Sequence, residues 1–166
     1  MKRTHSLGLV AALAMLATPP SFAHGDSSHA PAAHANHSAP VAETAFGRLG
    51  DPKRVSRTIT VDMTDNMRFT PDALNVRRGE TVRLKVVNSG RVLHELVLGT
   101  PADIKKHWEA MQKHPGMAHG EPNMTHVPAG SQGEMVWQFT QPGQFQFACL
   151  LPGHFEAGMV GTVVVE

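Results

Sequence analysis

Residues 149–159 read Cys149-Leu150-Leu151-Pro152-Gly153-His154-Phe155-Glu156-Ala157-Gly158-Met159, placing a thiol, an imidazole and a thioether within 11 positions. Just upstream, Phe145 and Phe147 alternate with Gln144 and Gln146, the period-two pattern of a half-buried strand. The same count puts Cys149 on the apolar face, pointing into a core. Pro152-Gly153 then turns the chain, so that His154 folds back beside the cysteine. Gly158 leaves room for close approach of another backbone, and Met159 opens a closing strand through Val163, Val164 and Val165 to Glu166.

Working outward, the same alternation recurs in Ile59, Val61 and Met63, and in Val82, Leu84 and Val86. Turn signals at Arg78-Gly79-Glu80, Asn88-Ser89-Gly90, Pro128-Ala129-Gly130 and Gln141-Pro142-Gly143 separate short strands. This spacing predicts an all-β sandwich of two sheets. One short helix interrupts it. Thr100 caps that helix, Pro101 fits its first position and Asp103 its third, and Ile104, Trp108 and Met111 follow at helical spacing. It ends near His114-Pro115, and a long loop from Gly116 to Val127 comes next, a length uncommon enough in a compact domain to signal function.

The first 23 residues form an export signal. Lys2 and Arg3 precede the apolar run Leu7 to Ala17, and Ser21-Phe22-Ala23 is a small-x-small cleavage site. The run is too short for a membrane span, which needs about 20 apolar residues. Residues 24–50 read as a His-rich disordered tail, with His24, His29, His34 and His37 among Ala, Ser, Pro and Asn, leaving residues 51–166 as one domain. A bacterial-looking signal places the protein in the periplasm, where a lone cysteine is oxidised unless something protects it.

Composition narrows the chemistry. Of 166 residues, 41% are apolar and 17% charged, which suits one modest core and excludes a two-domain enzyme. Once the signal is removed, 13 basic side chains face 14 acidic ones, so neither nucleic acid nor an anionic membrane surface is an expected partner. One cysteine cannot form a disulfide within its own chain, nor bridge two coppers with paired thiolates. Eleven histidines and nine methionines are instead soft and borderline metal ligands.

Cys149, His154 and Met159 need a further donor, and His94 in Val92-Leu93-His94-Glu95-Leu96 supplies it. Two imidazoles, a thiolate and a weak axial thioether form the trigonal set that holds electron-transfer copper, whereas structural zinc takes four strong ligands. Those residues, with Met67-Arg68-Phe69-Thr70-Pro71, Val76-Arg77-Arg78-Gly79-Glu80-Thr81-Val82 and Asn88, make residues 55–166 resemble a cupredoxin, the plastocyanin and azurin family of type 1 copper proteins. The spacing about His154 is similar to the rusticyanin branch. The resemblance implies a Greek-key β-sandwich binding copper as Cu(I)/Cu(II) through His94, Cys149, His154 and Met159 at one end. Glu95 departs from it, since many members carry Asn there to tie the two ligand loops together.

A second group, His107, Met111, His114, Met117, His119, Met124 and His126, offers thioethers and imidazoles suited to Cu(I), and His24 as a free N-terminus offers a Cu(II) site. Because a pure electron carrier needs neither, the expected role is periplasmic copper handling and tolerance by a monomer that is not an enzyme. The alternative is a soluble respiratory electron carrier. In either case a redox partner or copper-transport protein docks near His154, through Leu150, Leu151, Pro152 and Phe155.

Overall fold

A computed structural model of the chain describes residues 42–114 and 120–166. Two five-stranded sheets face each other. The first is ordered β1 (Arg48–Leu49), β8 (Gln132–Gln138), β5 (Thr81–Asn88), β2 (Arg57–Thr64), β3 (Arg68–Thr70). The second is ordered β4 (Ala73–Val76), β10 (Val160–Val165), β9 (Gly143–Ala148), β6 (His94–Gly99), β7 (Met124–Val127). Within each sheet, strands distant in sequence are neighbours, as the sandwich reading requires. The alternating side chains foreseen above, Val61, Met63, Val82, Leu84, Val86, Phe145 and Phe147, meet between the sheets and are buried.

Helix α1 (Pro101–Lys113) follows β6 and packs across β6 and β9 on the outer face of the second sheet. Its start is a full capping box, in which Thr100 Oγ1 accepts from the Asp103 amide and the Asp103 carboxylate accepts from the Thr100 amide. Beneath it, Val97, Ile104, Met124, Ala148 and Leu150 form a second, smaller apolar cluster. The sandwich therefore has a third layer over one end of one sheet.

Three boundaries differ from those read in the sequence. The stretch expected as loop from Gly116 to Val127 ends in β7, which pairs with β6 at the sheet edge, Glu95 opposite His126 and Val97 opposite Met124. The closing strand begins at Val160 rather than Met159, so the methionine belongs to the loop. Residues 42–50, expected as the end of the disordered tail, are part of the packed body. Phe46 is buried, stacks on Trp137 with centroids 5.2 Å apart, and accepts a hydrogen bond at its carbonyl from the Trp137 indole. Gly47 makes this approach possible: with φ at 125°, a Cβ there would lie 2.1 Å from the Gln138 carbonyl oxygen. One aromatic residue in a polar context carries too weak a periodic signal to overrule the composition around it. The signal segment and residues 24–41 lie outside the described residues.

If residues 42–50 belong to the fold, Phe46→Ala should cost about 3–5 kcal/mol, as for other buried aromatics. Leu49→Ala, at a side chain 46% exposed, should cost under about 0.5 kcal/mol. Urea unfolding of both variants checks the contrast.

Candidate metal centre

Strand pairing brings the donors together. Because β6 and β9 are antiparallel, with Val97 opposite Ala148, the start of β6 lies at the end of β9. His94 is the first residue of β6 and Cys149 follows the last residue of β9. The Cys149 amide donates to the Met159 carbonyl, 3.1 Å away, and the Met159 amide to the His154 carbonyl, also 3.1 Å, which closes the loop on itself. Nδ1 of His154 lies 3.2 Å from Cys149 Sγ and 3.2 Å from Nδ1 of His94. With metal–nitrogen and metal–sulfur bonds of about 2.0 and 2.3 Å, trigonal donors stand roughly 3.5–4 Å apart, so a modest widening admits an ion. Among the described residues, no other group of three histidine, cysteine or acidic side chains brings its donor atoms this close.

His94, Cys149 and Met159 are fully buried, while His154 is half-buried and forms the exposed edge of the centre. Met159 sits in the main apolar cluster with Cys149. Burial pushes the metal-free Cys149 thiol up to about 12. Burial, and then the neighbouring His94, pull His154 below the usual histidine value, so its imidazole is neutral at pH 7. A metal must therefore displace the thiol proton and finds His154 already free of one.

Glu95 points away from His94, into the layer beneath α1, and is completely buried. Oε1 accepts from the Leu150 amide at 2.8 Å. Oε2 lies 2.8 Å from Nε2 of His126, close enough for an ion pair although not aligned as a hydrogen bond. The carboxyl group thus ties the first ligand strand to the residue after the cysteine, the task that the resemblance assigns to Asn, and adds a link to the surface. His126, one of the sequence's candidates for a secondary copper site, stands opposite Glu95 through the pairing of β6 with β7.

Met124 is packed in the cluster under α1, and Met111 is buried beside a cleft of about 520 Å³ that His107 also lines. His114 is exposed at the helix end. His24, Met117 and His119 lie outside the described residues. The expected docking surface also changes, because Leu150, on the opposite face from Cys149, is fully buried and cannot meet a partner. Phe155 is half-buried against Trp108 of α1, with centroids 5.6 Å apart. Val92 and Leu93, just before His94, are 44% and 43% exposed. Sequence reasoning missed them, together with Asp65, whose Oδ1 lies 3.3 Å from Nε2 of His94. Hydrogen bonds from the Arg91 amide above all hold the Asp65 carboxyl below its usual range.

Two imidazoles and a thiol converging at one pole of a β-sandwich, on a loop closed by the main chain of a methionine, define a mononuclear copper protein. Residues 55–166 match the family described as copper binding proteins, plastocyanin/azurin family, and the chain belongs to it. The centre is accordingly a copper site. A copper-resistant cuproprotein CopI of Rubrivivax gelatinosus is 54% identical over 134 residues, 81% of each chain. Another of that name from Pseudomonas aeruginosa is 34% identical over 151 residues, 74% of this chain and 83% of the relative. In fold the chain is similar to auracyanin B (TM-score 0.60, 24% identity, 75% of this chain and 96% of the other). The azurin Az-iso2 of Methylomonas sp. strain J is also similar (TM-score 0.56, 20% identity, 68% and 99%).

Copper binding at pH 7 should release about one proton, from Cys149, and affinity should fall about tenfold for each unit that the pH is lowered. Titration of the reduced apoprotein in weak buffer measures both. At Glu95, replacement by Ala strands the Leu150 amide and should cost about 1–3 kcal/mol, whereas Gln, which still offers an acceptor, should recover part of it. Urea unfolding of the two apoproteins distinguishes them.

Proposed function

We propose that the protein is exported to the periplasm and handles copper there, serving copper tolerance through one redox-active centre, with no catalysed reaction of its own. The carrying observation is the His94–Cys149–His154 donor set in a chain 54% identical, over most of its length, to a copper-resistant cuproprotein. Among the described residues no helix is long and apolar enough to cross a membrane. Copper supplies one-electron chemistry, alternating between Cu(I) and Cu(II). The protein would supply a closed loop that holds the His94, Cys149 and His154 donors together, and burial that keeps water from the thiolate. Met159, held by main-chain bonds to Cys149 and His154, would offer its thioether as a weak further ligand.

One observation favours a second reading, that of a soluble electron carrier. Val92 and Leu93 expose apolar surface at the same pole as the half-buried edge of His154. A redox partner or a copper-transport protein docking there, on a monomer, would meet the ligand nearest to solvent.

Deleting the gene should make growth copper-sensitive. The wild-type chain should restore tolerance and Cys149→Ser should not, since serine lacks the soft sulfur and its charge-transfer band. Met159→Leu should keep one copper and shift the reduction potential upward, because losing a weak donor destabilises Cu(II) more than Cu(I). Normal copper tolerance combined with loss of a respiratory activity would replace copper handling with electron carriage.

A further inference from the structure

The parallel pairing of β2 with β5, Met63 opposite Asn88, ends both strands at the copper pole. The turn after β2 is thereby laid against the loop that runs from β5 into His94, and the Ser89 amide donates to the Met63 carbonyl at 2.9 Å. Asp65 stands in that turn. Its carboxylate accepts from the Arg91 amide at 2.8 and 3.0 Å and from the Val92 amide at 3.4 Å, both in the loop leading to the ligand. Nε2 of His94 lies 3.3 Å from Oδ1 of the same carboxylate. At Gly90 the loop has been cleared for it, since a Cβ there would come within 2.1 Å of Asp65 Oδ1.

We propose that Asp65 is a positioning residue of the copper centre, orienting the His94 ring and fixing its tautomer. The ring is completely buried, so water does not serve Nε2. Nδ1 already faces His154 Nδ1 at 3.2 Å, and the donor atoms of His94, Cys149 and His154 lie within 4.8 Å of one another, where the metal belongs. Only a ring protonated at Nε2 presents a lone pair at Nδ1, and the acceptor at Nε2 selects that form. A carboxylate in this position also strengthens the imidazole as a donor, which favours Cu(II) over Cu(I). The five-residue loop between β5 and β6 is fixed by the same group, so ring and main chain are aligned together.

The assignment rests on the copper centre, but its first test needs no metal. In the apoprotein, nitrogen-15 shifts should report His94 wholly as the Nε2–H tautomer. Asp65→Ala should yield a mixture of tautomers, while Asp65→Asn, still an acceptor, should retain most of the wild-type form. In the Cu(II) proteins, pulsed EPR should show one of the two remote imidazole nitrogens altered in Asp65→Ala and the other unchanged. The reduction potential should rise in the order wild type, Asp65→Asn, Asp65→Ala, with copper retained at one per chain. An unaltered His94 tautomer and remote-nitrogen signal in Asp65→Ala would overturn the proposal, whether or not the potential moved, because a shift in potential alone is what removing any nearby charge produces. If Asp65→Ala fails to fold, Asp65→Leu, close to it in size but without an acceptor, takes its place: an altered remote-nitrogen coupling supports positioning, and an unaltered one refutes it.

Discussion

The copper pole depends on one hydrogen bond, from the Cys149 amide to the Met159 carbonyl. It continues the β9–β10 ladder by one rung past the last paired residues, Ala148 and Val160. Everything between must therefore fit a closed loop whose ends are set by two sheet strands. The loop is short enough to be held internally: the His154 amide reaches the Leu151 carbonyl, and the Gly158 amide the Phe155 carbonyl. A histidine carried on such a loop moves no further than the modest widening that an ion requires. The geometry thus belongs to the sandwich, and the ion enters a position already prepared by strand register.

Outside that loop, support comes from elements that do not ligate. Helix α1 touches it twice, through Trp108 against Phe155 and through Gln112, whose amide donates to Glu156 at 3.0 Å. From within the sheet, Glu95 reaches the Leu150 amide. From the first sheet, Asn88 donates to the carbonyls of Val92 and Val127, both at 2.8 Å, fixing the approach to His94 against the end of β7. The ligand loop is thus braced by its own sheet, by the facing sheet and by the helix. The helix that interrupts the strand pattern is part of the site's scaffold rather than an ornament on it.

The fold and the inner donors were legible because both depend on local repetition. Period two in Phe145, Phe147 and Cys149 tells which way the thiol points, and the turn at Pro152-Gly153 tells that His154 returns. The odd residue at Glu95 was visible as a departure, but its partner was not. His126 becomes opposite only through the β6–β7 register, and β7 lay hidden in a stretch whose histidines and methionines looked like loop. Asp65 was invisible for the same reason: 29 residues separate it from His94, and only the parallel pairing of β2 with β5 brings them together. Leu150 was misplaced because hydrophobicity next to a ligand looked like a docking surface, although the alternation that buries Cys149 on one face buries its neighbour on the other. Met124 and Met111 illustrate a related ambiguity. A methionine that could bind copper and one that fills a core have the same side chain, and packing decides between them.

The short strand β1 has a consequence for how much of the chain must be kept together. It adds only two paired residues, Arg48 opposite Gln138 and Leu49 opposite Trp137, yet it is what lies along the outer side of β8. The family match starts at residue 55. A chain begun there would retain every copper ligand but leave the Val136 to Gln138 end of β8 without its partners at the sheet margin. Removing Phe46 with it would uncover the Trp137 ring as well. Residues 43–50 are thus a selvage, the bound edge that keeps a woven sheet from fraying where its last strand would otherwise end.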